Sequence, residues 1–376
     1  MVSKIESAEL SLPVMNRKVL VSSQRFDWTM IVVSVWWLGG LFIDGWAHNS
    51  IPQLETFFTP WHAVFYSGYL AVALTLLIKV LQNLHQIVQE ADGVAPSWAK
   101  MMRRSLPNNR WLQAIPRSYE LTALGLIIFF FSGIGDMTWH ILFGIERKAE
   151  ALLSPTHLGL ALGLGLALSG PLRATWRRFE SAPSWRQLGP AIFSLTFTFS
   201  LLTFFMGYGE SLINPWPLNN SSNSPTQGIE TILLSTALMM GFVLLALCRW
   251  KLPSGTFTFM LGLNGAAMAI FYPKALMVSF PTGLLGGFAF DLLYRFVRPV
   301  PEQTVSVRLF AFLAPLAFYI LYFVDLAITG PILYNTGILW SIPFWAGAPV
   351  IAGIAGFLLS YLLIPPTGTQ CTNRSD

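Results

Sequence analysis

Sulfur and charge are both scarce in this chain. The two cysteines, Cys248 and Cys371, fall in segments expected on the same side of a membrane and form no Cys-x2-Cys pair. That argues against a disulfide framework and leaves any metal site to nitrogen and oxygen ligands. Charged residues are 11% of the 376, too few to clothe a water-soluble surface of this size. Gly-x-Ser-x-Gly, P-loop, dinucleotide-binding and His-Glu-x-x-His patterns are missing, which removes the familiar soluble catalytic modules. No small-residue cleavage site follows the first apolar run, and residues 1–27 are mostly polar, so the first span is expected to be a retained signal anchor.

Apolar residues take the place of charge. They make up 54% of the chain, and runs long enough to cross a bilayer recur from about Trp28 to Leu363. The expected fold is an all-α integral membrane protein with ten transmembrane helices, at roughly 28–47, 62–81, 119–143, 157–175, 187–207, 229–248, 255–272, 275–294, 307–329 and 338–363. With a cytoplasmic N-terminus, all of the 23 Lys and Arg except Arg147, Lys148 and Lys274 fall on the inner side, which places both termini in the cytoplasm. The net charge of +5 is thereby explained by topology and anionic headgroups, not by nucleic acid.

Helical hairpins organise this reading. A cytoplasmic segment at 1–27 leads to a first hairpin at 28–81, a polar connector at 82–118 and a second hairpin at 119–175. A degenerate third hairpin is expected at 187–248, because Glu230 opens a segment echoing the one that Glu150 opens. Four further spans cover 255–363, and 364–376 is a cytoplasmic tail. The fifth histidine, His85, lies in the connector and reads as a solvated interfacial residue.

The other four of the five histidines belong to one pattern that occurs twice. Asp44-x3-His48 is followed by Glu55 and Thr59-Pro60-Trp61-His62. Asp136-x3-His140 is followed by Glu150 and Ser154-Pro155-Thr156-His157. In each copy Glu precedes the last His by seven residues; Trp46 or Trp139 lies near the first His, and Gly68 or Gly163 follows the last His by six. This is the signature of an internal duplication in parallel orientation. Ionisable groups at the ends of apolar helices are expensive, and a repeated Asp/His/His set points to a metal.

Helix geometry gives that set a shape. Asp and His four apart share a helical face, so each pair points into one cavity at the end of its span. Thr59 or Ser154 serves as N-cap and Pro60 or Pro155 as first helical residue, placing His62 or His157 in the opening turn. There the positive helix end favours a neutral ring able to ligate, whereas a carboxylate at the C-terminal end of a helix calls for a cation. Asp44, His48, His62, Asp136, His140 and His157 are the expected metal ligands, in two mononuclear sites or one dinuclear site. Glu55 and Glu150 are candidate proton acceptors. Asp325 is read as a cavity or helix-packing residue, and Asp291 as an ion-pair anchor beside Tyr294 and Arg295.

Asp44-x3-His48, with thirteen residues before His62, resembles the Asp-x3-His-x12-His copper motif in the C subunit of the copper membrane monooxygenases. The resemblance implies copper on Asp44, His48 and His62. The leading expectation is thus a transition-metal oxidoreductase, with copper first and iron or zinc as alternatives. It would act on a small or lipid-soluble substrate near the extracytoplasmic face of a bacterial inner membrane or a related energy-transducing membrane. An ion or metal transporter is the second reading, with Ser279-Phe-Pro-Thr-Gly and Gly347-Ala-Pro as possible helix breaks. A zinc-dependent membrane hydrolase, or an accessory subunit that binds a partner, a second copy or a haem, completes the alternatives.

Overall fold

A computed structural model describes residues 20–51, 57–94, 110–144, 152–178, 184–218, 224–300 and 302–364. The described residues are helical, without strands. Twelve α-helices run in order: α1 Gln24–Ser50, α2 Pro60–Val94, α3 Arg110–Ala114, α4 Glu120–Phe143, α5 Pro155–Leu168, α6 Gly170–Arg178, α7 Trp185–Phe205, α8 Ser224–Arg249, α9 Thr256–Phe271, α10 Leu276–Val297, α11 Thr304–Leu333 and α12 Ile342–Leu363.

Among the described residues, nine helical segments are long and apolar enough to cross a membrane, with α5 and α6 counted as one. Such a set suggests a multi-pass membrane protein. The span expected at 255–272 is shorter than the rest. At 16 residues α9 rises about 24 Å, less than the roughly 30 Å of a hydrocarbon core. Several other helices outrun the expected spans, most of all α2, which continues through His85 and into the segment expected as connector, whereas α12 begins four residues later than expected. Large apolar side chains cover the outside of the bundle, including Leu70, Leu74 and Ile78 on α2, Ile127 and Phe131 on α4, and Ile320 and Val324 on α11. Such a surface suits lipid better than water.

Lipid tails are as apolar as leucine, so helices in such a bundle are held by close backbone packing more than by the hydrophobic effect. Glycine makes that packing possible. In the α1–α2 hairpin a methyl group at Gly40 would lie 2.7 Å from Phe65 Cα, and one at Gly68 would overlap the Trp37 backbone. In the α4–α5 hairpin a methyl group at Gly163 would lie 2.7 Å from both Gly125 O and Phe129 N. Trp37 and Phe129, both fully buried, meet edge to face with ring centroids 4.8 Å apart. Each of the two rings stands eleven residues before the first histidine of its copy, and each lies under the glycine six residues after the last.

Two apolar clusters result. One joins α1, α2, α4 and α5 to Phe197, Leu201 and Phe204 of α7 and to Met268 and Phe271 of α9. The other joins α8, α10, α11 and α12 to the remaining faces of α7 and α9. These last two helices therefore form a seam between the halves. The α8 helix packs chiefly against α12 and only lightly against α7. Exposed Glu230 on α8 points to no ligand role for the third segment.

One polar cluster fastens the first half at the end remote from the histidines. Fully buried Asp27 receives Arg178 Nη2 at 2.7 Å, Tyr119 Oη at 2.8 Å and Ser22 Oγ at 2.9 Å, tying the starts of α1 and α4 to the end of α6. Asp291 does not act as the expected ion-pair anchor. Its carboxylate accepts from the Gly255, Phe257 and Thr258 amides and from the Thr258 hydroxyl, capping the otherwise unpaired N–H groups that open α9. Asp325 accepts from Thr282 Oγ1 at 2.8 Å, which makes it a helix-packing group between α10 and α11. Pro281 and Pro349 lie inside continuous helices, so the helix breaks considered for a transporter are not formed.

Candidate metal centre

The two hairpins deliver the duplicated residues to one place. Asp44 and His48 lie one turn apart near the end of α1, and Asp136 and His140 take the same positions on α4. The partners come from the opening turns of the next helices. Ser154 caps α5 by accepting from the His157 amide at 3.3 Å, with Pro155 as first helical residue. Thr59 Oγ1 accepts from the His62 amide at 3.2 Å in front of α2. The Ser/Thr-Pro pairs thus act as expected.

Within each set the ligand atoms lie within 4.8 Å of one another, so Asp44, His48 and His62 can hold one ion and Asp136, His140 and His157 another. The spacing is informative. His48 and His62 present Nε2 to Asp44 Oδ2 at 3.7 and 3.6 Å; His140 and His157 present Nε2 to Asp136 Oδ1 at 3.6 and 3.4 Å. Charge-assisted hydrogen bonds would draw such pairs to about 2.7–2.9 Å. Ligand atoms about 2.1 Å from a shared ion, at tetrahedral to trigonal angles, stand roughly 3.4–3.6 Å apart.

The hydrogen bond on the far side of His140 sharpens this point. Its Nδ1 lies 3.2 Å from Gly144 O, and a carbonyl oxygen only accepts, so Nδ1 carries the proton. In a neutral ring Nε2 then holds a bare lone pair. That atom is buried without a hydrogen-bond partner and faces a carboxylate oxygen, another acceptor. Two acceptors facing each other out of water repel unless a cation lies between them. Gly144 ends α4 with φ +82°, a conformation glycine adopts without strain. His62 Nδ1 and His157 Nδ1 are likewise held from behind, by Thr59 Oγ1 at 3.1 Å and Ser154 Oγ at 2.6 Å. The capping hydroxyls therefore both start the helices and orient the rings.

All six side chains line a single cavity of about 250 Å³. Leu41, Phe65, Leu160, Leu164 and Phe204 give it apolar walls, while Asn49, Tyr208, Asn214 and Tyr272 add polar groups from the helix ends and the 206–214 loop. The hairpins meet across it, with the His62 and His140 ring centroids 6.5 Å apart and Phe57 stacked on His62 at 4.8 Å. No protein-family model matches the chain, nor does any curated protein or solved structure. The likeness to copper membrane monooxygenases therefore rests on the local Asp-His-His motif alone.

Glu55 and Glu150, the candidate proton acceptors, lie outside the described residues. Sequence reasoning missed four groups that bear on the cavity. Thr156 Oγ1 donates to Asp136 Oδ1 at 3.3 Å. The Tyr66 hydroxyl is buried with no hydrogen-bond partner and lies in the cavity wall. Asn214 secures the loop by donating to Gly207 O at 2.5 Å. Glu210 is buried behind that loop and accepts from the Leu212 and Ile213 amides at 2.7 and 3.2 Å. Burial pushes its carboxyl up to about 7, an effect the two amides only partly oppose. A lone acid in Gly207-Tyr-Gly-Glu210, just past an apolar span, was the available signal.

Proposed function

We propose that this chain is a multi-pass integral-membrane metalloprotein whose two Asp-His-His triads bind transition-metal ions at the extracytoplasmic end of the helical bundle. The observation that carries this reading is the convergence, in each copy, of two histidine Nε2 atoms on one aspartate oxygen at 3.4–3.7 Å, with the buried His140 Nε2 lacking a hydrogen-bond partner. A cation resolves that juxtaposition. The Trp37–Gly68 and Phe129–Gly163 contacts, at matching positions in the two copies, support descent of both hairpins from one duplicated unit.

Two imidazoles and one carboxylate make a borderline donor set. Copper(II) stands highest in the usual affinity order for such ligands, and the local motif resembles a copper site, so copper is the proposed ion. The same donor types also suit non-haem iron, which makes iron the alternative. With three protein ligands per ion, coordination positions remain open, as reactive sites require. The proposed activity is oxidation or electron transfer involving a small or lipid-soluble substrate. A bound redox metal would supply the electron chemistry; the protein's part is to orient the rings through Thr59, Ser154 and Gly144 and to exclude water with Leu41, Phe65, Leu164 and Phe204. Transport is less well supported, because the triads sit at helix ends and the transporter folds place their sites near the bilayer midplane.

Elemental analysis of the detergent-purified protein tests the reading. Wild type is expected to carry copper, and the His62→Ala/His157→Ala double variant to carry none. Equal metal in both would refute it; iron or zinc in place of copper would keep the site and change the chemistry.

A further inference from the structure

Two divalent ions held by two carboxylates and four neutral imidazoles would leave two net positive charges in a largely apolar cavity. Charge buried this way demands compensation. Each ion also keeps open positions, and both triads open into the same space. A small anion between them answers both needs. The Tyr66 hydroxyl, a donor in the cavity wall buried without a hydrogen-bond partner, fits this arrangement; Asp44 Oδ1 and His140 Nε2, also buried without one, are acceptors and face the ions.

Tyr66 is placed between the two sites. It stands one turn after His62 on α2, and its ring leans on α4 where Gly133 lacks a side chain: a methyl group there would come within 3.0 Å of Tyr66 Cε1 and 3.2 Å of its hydroxyl oxygen. Gly133 itself is one turn before Asp136. The phenol thus belongs to the first hairpin and reaches the second, within electrostatic range of both Asp136 and Asp44. Its buried, unpartnered hydroxyl is thereby offered to a group lying between the ions.

Building on the metal reading above, we infer that the two triads form one dinuclear centre bridged by a small anion, to which the Tyr66 hydroxyl donates a hydrogen bond. The ligand class is a compact monoanion able to bind two cations at once, for which azide is a direct probe.

The full-length protein in detergent, loaded with Cu(II) and titrated with azide, tests this. The expected wild type takes two copper ions per chain and shows a half-field electron paramagnetic resonance transition. His62→Ala and His157→Ala each keep one ion and lack that transition. One azide per two copper ions then quenches the wild-type signal. Tyr66→Phe keeps both ions and the half-field transition but binds azide on the order of ten-fold more weakly, the effect of losing a hydrogen bond to a charged group. Two ions giving magnetically independent signals, or one azide per ion with the signal intact, would overturn the shared centre while leaving the metal reading in place. Unchanged azide affinity in Tyr66→Phe would overturn the role of Tyr66. Absence of copper binding would remove both. The wild-type spectrum decides the central point even where a histidine variant fails to fold.

Discussion

The first hairpin's triad is the wetter and less restrained of the two. The Asp44 and His48 side chains are 12% and 20% exposed, against 2% each for their counterparts Asp136 and His140, while His62 at 8% is drier than its counterpart His157 at 20%. Asp136 accepts a hydroxyl from Thr156. At the matching place in the first copy stands Trp61, which packs edge to face on Trp46 at 5.4 Å and has no hydroxyl to give, and Asp44 Oδ1 is left without a partner. One ligand pattern has thus been set in two surroundings. The protein itself restrains the second triad more than the first.

Removing one carboxylate at a time breaks this comparison most directly. Asp44→Ala and Asp136→Ala are each expected to lower copper from two ions to one per chain, measured by elemental analysis. The surviving ion should differ. In Asp44→Ala it sits in the drier, better-held triad and should resist a chelator longer than the ion remaining in Asp136→Ala. Equal release rates would mean that the surroundings do not matter.

The duplicated glycines should behave alike where the ligands do not. Gly68→Ala and Gly163→Ala both push a methyl group into the neighbouring helix backbone, and overpacking of this kind costs about 1–3 kcal/mol or more. Thermal unfolding in detergent should show a lowered midpoint for both. Gly39→Ala, which meets nothing within 4 Å, should leave it unchanged. A smaller effect is expected from Thr156→Val, which removes the hydroxyl that steadies Asp136. Partners of a ligand contribute roughly ten-fold or more in metal affinity, so the second triad should weaken to that extent and the first should not change. Copper titration of the single-triad variants checks both.

Much of this was legible before any coordinates. Hydropathy locates the helices because a bilayer demands long apolar runs, and the repeated spacing exposes all six candidate ligands because each falls within about two turns of a helix end. Composition alone does not reveal which helix faces meet. Trp61 and Thr156 are expected in the opening helical turns beside the histidines, but only the packing of α5 on α4 shows Thr156 turned onto Asp136. Nothing in the local sequence singles out Tyr66, whose ring leans on α4 where Gly133 lacks a side chain. Asp27 and Arg178 are 151 positions apart, and Asp291 caps a helix whose N-cap, Gly255, lies 36 residues before it. Each is a long-range pairing that local pattern cannot carry. The short α9 was overestimated because its 16 apolar residues match a span in composition but not in length.

The third wall of the cavity belongs to neither hairpin, and it supplies the smallest test of what sets them apart. Glu210 anchors the 206–214 loop by accepting two amides, and Tyr208, Ile213 and Asn214 of that loop face the triads. Burial raises its carboxyl from 4.5 to about 7, so between those values the folded chain keeps a proton that the unfolded chain has released. Stability then falls as pH rises. The contribution is fully present below about 4.5 and is lost as pH climbs through about 7. Glu210→Gln keeps the carbonyl oxygen that accepts the amides and cannot ionise. Its unfolding midpoint, followed from pH 5 to 8, should therefore decline less steeply than that of wild type, with the gap widest at the alkaline end. Parallel profiles would show that the carboxyl is not protonated in the folded chain. If the gap appears, copper release from both triads should quicken together in wild type above neutral pH, because the loop covers the cavity they share and favours neither hairpin.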